Sequence, residues 1–489
     1  MDIPKFTQKD GNWLIEATID DMQKKMAAGE VTSLELVQMY LHRIAVHDGK
    51  IHSILEMNPD ALHIAAALDE ERRIEGARGQ LHGIPILVKD NIDTGDRMHT
   101  SAGSLALASH IASNDAFVAR CLRKAGAVLL GKTNMTEWAN FMTIGMPSGY
   151  SSRGGQTLNP YGPGKLDVGG SSSGSGAAVA CNFAATAIGT ETSGSILNPS
   201  LKNALVGIKP TVGLLSRRGI IPIAHSQDTP GPMARTVKDA AYLLSVMAGR
   251  DDQDPATEAI PLSAVTDYVA ELQLNDLKGV RIGVAGEPFT LRLSKHKLAL
   301  MEEAKTVLKE LGAELVEEIH IPSAQHVWGF DIFTYEFKVG LNAYLQETPP
   351  SNQIRSLADV IRFNEADPDS MLKYGQKLLE MSEETRGTLT EPEYHSTLRQ
   401  DLRLSREEGI DHALKKHRLD AIFFGGDRGS VIAARAGYPT VIVPAGFLPN
   451  GEPFGVSFTG TAFSEPLLLK IAYAFEQATH HRKSPEMII

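Results

Sequence analysis

Hydrophobic positions along this chain fall into two periods. Short apolar runs at 84–88, 127–130, 421–424 and 440–443, together with VRIGV at 280–284, predict buried strands. Between them, apolar residues recur every three or four positions and predict helices: Ile19, Met22 and Met26; Leu34, Val37, Leu41 and Ile44; Ala61, Ile64, Ala65 and Leu68. The same spacing returns in Val118, Leu122 and Ala125, in Val237, Ala240, Ala241 and Leu244, in Leu300, Ala304, Val307, Leu308 and Leu311, and at 464–477. Local signals fix several ends. Thr18 caps the first helix, Thr32 with Glu35 has capping-box spacing, and Thr236 caps a later helix. Gly29 and Gly126 act as stops, and Pro59 opens the helix that carries Ala61 to Leu68. Strands alternating with helices predict an α/β protein.

One stretch departs from this alternation. Residues 168–199 read VGGSSSGSGAAVACNFAATAIGTETSGSILNP, two Gly/Ser loops around an apolar run at 177–188. The run predicts a helix of about three turns buried on every face. Residues 145–169 predict a long irregular loop feeding it, and IPIAHSQDTPGPMART a second Gly/Pro loop. Residues 320–416 are polar and mostly helical, and are expected to shape a substrate entrance.

Composition narrows the function. The 489 residues are 42% hydrophobic and 22% charged, with formal net charge −11. That balance argues against a nucleic-acid or anionic-membrane binder. Cys121 and Cys181 lie in apolar helical contexts and are expected to be buried free thiols. The N-terminus lacks the pattern of a secretory signal and no apolar run reaches membrane length, so a cytoplasmic protein is expected.

Four places offer chemistry. Lys89 ends an apolar strand, either as a solvated lysine or as one whose desolvated amine is a base. GAVLLGKT, 126–133, has P-loop letters, but its glycines enclose a strand and a helix precedes it, so Lys132 reads as structural. GSSSG around Ser172 fits a nucleophile elbow, though KLDVG before it makes a poor strand. His225 invites a general-base role, but a lone loop histidine is more often structural.

Several motifs in order resemble the amidase signature family: HGIPILVKDNID, AGAVLLGKTNMTEWAN, the block at 169–211, GPMARTVKDAA, YPTVIVPAGF and GVSFTG. SSRGGQTLNPY is similar to the peptide-amidase-like branch. The resemblance implies a single α/β/α domain over 1–489, a twisted mixed β-sheet flanked by helices on both faces. Its signature core would cover about 80–245 and 420–480, with a variable, mostly helical region at about 250–420. It implies a Ser–cis-Ser–Lys triad of Ser195 as nucleophile, Ser171 as the cis-serine and Lys89 as base. The oxyanion hole would be the backbone amides of Thr192, Ser193, Gly194 and Ser195. No cofactor and no metal are implied.

Many relatives carry an arginine at Leu197 or Asn198 that can bind a substrate carboxylate, and a glycine at Ser193. A neutral amide, such as a peptide C-terminal amide or aryl amide, therefore fits this chain better than a carboxylated one. The resemblance leaves two other readings: the glutaminase component of a tRNA-dependent amidotransferase, and a non-catalytic binding relative. Retention of all three triad residues speaks against the second.

Overall fold

The N-terminal helices begin where the sequence caps them. Thr18 and Asp21 form a reciprocal capping box on Ile19–Ala27, and Thr32 and Glu35 do the same on Ser33–His47. The computed structural model describes residues 12–264, 267–272 and 276–486. The segment 1–11, part of the stretch read for a secretory signal, lies outside the described residues.

The strands are β1 (Ile54–Met57), β2 (Pro85–Lys89), β3 (Val128–Thr133), β4 (Tyr150–Ser151), β5 (Gly155–Gln156), β6 (Thr186–Glu191) and β7 (Val206–Lys209). They continue as β8 (Thr229–Ala234), β9 (Arg281–Ala285), β10 (Glu314–Ile319), β11 (Ala421–Gly425), β12 (Thr440–Phe447) and β13 (Pro453–Thr459). Eleven of them form one mixed sheet in the order β1-β3-β2-β6-β8-β7-β12-β13-β11-β9-β10. β3, β2 and β6 run parallel, as do β11, β9 and β10, while the strands between are antiparallel. Helices flank this sheet, and one apolar core runs from Leu14 to Phe475. A second apolar cluster joins residues 102–146 and 221–224 to the helices Asp331–Glu347, Leu357–Ala366 and Lys377–Glu383.

The structure corrects four sequence expectations. The run at 177–188 is not one helix: the helix is Ser173–Ala180, and the chain then turns into β6. Asn182 has φ 56, which breaks the helical path, and its side chain accepts from the Glu16 N–H at 2.8 Å. Ala185 N–H then donates to the Pro85 carbonyl, starting the pairing with β2. A buried helix and a buried strand are equally apolar, so composition does not separate them. The second Gly/Pro loop hides β8, a central strand despite Pro230 and Pro232. Its ladder to β7 spans only Met233 and Ala234, so the prolines stand clear of it. The loop at 145–169 contains the small hairpin β4–β5. Both cysteines are free, but only Cys181 is fully buried, since Cys121 lies at the edge of its helix's apolar face.

Candidate active site

β2 and β6 are parallel neighbours with Val88 opposite Ile188, so their carboxyl ends emerge together. Lys89 ends β2, and Thr190 and Glu191 end β6. Carboxyl ends of strands are the usual binding edge of α/β sheets. The Gly/Ser segment crosses this edge. The Gly170–Ser171 peptide is cis, and Ser172 directly precedes the buried helix Ser173–Ala180 without a side-chain cap.

Lys89 is fully buried. Its Nζ lies 2.8 Å from Ser171 Oγ and 2.8 Å from Thr190 Oγ1, with the Thr190 carbonyl at 3.2 Å. Burial pulls its pKa down to about 7, against the opposing fields of Asp228 and Glu191. Asn91 Nδ2 donates to the same Thr190 hydroxyl at 3.0 Å and so helps hold Lys89 in line. Ser171 is fully buried, and its carbonyl accepts from Thr136 N–H at 3.0 Å.

Ser195 sits nearby at 8% exposure, and its carbonyl accepts from Ser172 N–H at 3.2 Å. The turn before it needs Gly194, whose φ is +83. Glu191, buried, accepts from the Ile196 and Leu197 amides at 2.7 and 3.0 Å and braces this turn from inside. Asp228 accepts from the Ile223 and Ala224 amides at 2.8 and 2.9 Å and from the Thr192 hydroxyl, while Gln227 Nε2 donates to the Thr192 carbonyl. Burial raises the Asp228 carboxyl to about 6.

The remaining candidates make other contacts. Ser172 is fully buried, with its hydroxyl donating to the Thr190 carbonyl and accepting from the Thr190 amide, so it clamps the helix to β6. No strand leads directly into it, which removes the elbow reading. Lys132 is buried and donates to the Ile92 carbonyl at 2.7 Å and Thr100 Oγ1 at 2.8 Å, a structural role. His225 lines a cavity with Asn91, Thr190, Thr192 and Asp228, its ring against Gly340, and no hydrogen bond joins the ring to Ser171, Ser195 or Lys89 among the described residues. Sequence reasoning missed Asn91, Thr190, Glu191 and Asp228. Their signal was a polar or acidic residue at the end of a buried strand or beside a Gly/Pro turn.

The Amidase family model matches residues 35–469. A probable amidase of Arabidopsis thaliana is 41% identical over 97% of this chain and 92% of its own length. The structure of native peptide amidase from Stenotrophomonas maltophilia is 46% identical, covers 97% of this chain and 99% of that one, and superposes with TM-score 0.92. The A subunit of a glutamyl-tRNA(Gln) amidotransferase from Thermosynechococcus vestitus is 31% identical over 96% of this chain and 100% of its own length. The chain belongs to the amidase family.

Proposed function

We propose that this chain hydrolyses neutral carboxamides, including peptide C-terminal amides, through Ser195, Ser171 and Lys89. The observation that carries the reading is the buried Lys89 amine 2.8 Å from Ser171 Oγ, with a pKa of about 7. A neutral amine there can accept the Ser171 proton while Ser171 accepts the proton of Ser195. Ser195 Oγ then attacks the amide carbon. Backbone amides of Thr192, Ser193, Gly194 and Ser195 would hold the oxyanion. Of these, the Gly194 amide also interacts with the Glu191 carboxylate. On collapse, Ser171 returns a proton to the departing ammonia or amine, and Lys89 reprotonates Ser171. Water cleaves the acyl-enzyme by the same relay. We place the protein in the cytoplasm; among the described residues no helix is long and apolar enough to cross a membrane.

The likeness to the amidotransferase relatives supports a second reading, a glutaminase that works only in a complex. Purified chain tested alone on aliphatic, aryl and peptide amides and on glutamine separates the two. Turnover of neutral amides supports the first reading, and glutamine hydrolysis that requires partner proteins supports the second.

A further inference from the structure

A second set of parallel strands ends at a cavity that shares no lining residue with the candidate active site. β11, β9 and β10 lie side by side and run parallel, so the loops after them meet at one edge of the sheet. Phe289 from beyond β9, Ser323, His326 and Trp328 from beyond β10, and Arg428 and Val431 from beyond β11 line a cavity of about 200 Å³. A cavity of about 150 Å³ is enough to hold a benzene ring. Two aromatic pairs fix the walls. Phe289 meets Phe424 edge-on with ring centroids 5.0 Å apart, and Trp328 meets His326 edge-on at 4.7 Å.

Two polar groups of this lining lack partners. Arg428 is exposed, and among the described residues its side chain makes no hydrogen bond or ion pair. The neighbouring Arg435, 5.9 Å from the Trp328 ring, is already paired with Asp401 at 2.7 Å. Ser323 is 5% exposed, and its Oγ has no hydrogen-bond partner. A ligand that hydrogen-bonds a buried, unpaired hydroxyl relieves its desolvation cost. β9 separates β10 from β11, so Ser323 and Arg428 enter the cavity from opposite sides, two strand spacings or about 10 Å apart.

We propose that this cavity is a second binding site, for a small phenolic carboxylic acid. Its carboxylate lies on Arg428, its ring between Phe289 and Trp328, and its phenol on Ser323. The occupant is a free acid and not a peptide terminus, because one ring with a short arm fills the cavity. The proposal does not depend on the amidase reading.

The test is calorimetric titration of the full chain with 4-hydroxyphenylacetate and three relatives. These are tyrosol, which lacks the carboxylate, phenylacetate, which lacks the hydroxyl, and N-acetyltyrosine, which represents a peptide terminus. 4-Hydroxyphenylacetate should bind about tenfold tighter than tyrosol and about fivefold tighter than phenylacetate. Arg428→Ala should remove the preference over tyrosol and keep the preference over phenylacetate, and Ser323→Ala should do the reverse. The acid should also quench tryptophan fluorescence, and Trp328→Phe should lose the quenching while still binding by calorimetry. No binding up to about 5 mM, preferences that survive both variants, or quenching that survives Trp328→Phe overturns the proposal. Tighter binding of N-acetyltyrosine than of 4-hydroxyphenylacetate overturns the assignment to a free acid.

Discussion

Replacing Lys89 by methionine tests the base directly. At pH 7 about half of a lysine with pKa near 7 is neutral, against about three in ten thousand for an ordinary lysine. kcat/KM of the wild type should therefore fall about tenfold per pH unit below pH 7 and level off above about pH 8. Lys89→Met should lose about 10²–10⁴-fold in turnover at pH 8. Stability carries a second signature. Between pH 7 and the ordinary lysine range, the unfolded chain binds a proton at Lys89 that the folded chain does not. Stability therefore rises with pH across that window, and the cost of burial is full below about pH 7 and gone above about pH 10.5. At pH 7 that cost is about 4 kcal/mol, falling to about 2 kcal/mol at pH 9. Urea unfolding of both proteins should show the variant's advantage shrinking by about 2 kcal/mol from pH 7 to pH 9. A flat pH–rate profile from about pH 5 to 9, or a stability gap that does not change with pH, would refute the reasoning.

Ser171→Ala should match Lys89→Met or lie between it and wild type, because effects within a relay are not additive, whereas His225→Ala should cost far less; parallel kcat measurements decide. Glu191→Ala removes the acceptor of the Ile196 and Leu197 amides and a partner of the Gly194 amide, and should cost about 1–3 kcal/mol for each amide left unpaired in unfolding experiments and lower kcat more than it raises KM. Prolonged chelation should leave activity intact, since Lys89 and Ser171 supply the base and the loop amides supply the oxyanion donors; loss of activity with recovery on zinc would contradict this.

Much of the candidate site is legible in the sequence because its motifs are contiguous. Lys89 stands at the end of a visible strand, and Ser171 and Ser195 lie in one Gly/Ser block. What is not legible depends on neighbours far away along the chain. β8 carries two prolines and becomes a strand only because β6 lies along it. Thr190 matters only because β6 lies beside β2. Asn198 reads as a missing arginine in sequence, yet in the fold it links Gly170 to Asp427.

Assignment of Ser195 as the nucleophile of the relay is the central claim. The most direct measurement is labelling with a serine-directed phosphonate, followed by peptide mass spectrometry. The expected result is an adduct on Ser195, formed faster as pH rises through about 7 and lost in Lys89→Met. An adduct on Ser172, or labelling of Ser195 unchanged without Lys89, would contradict it.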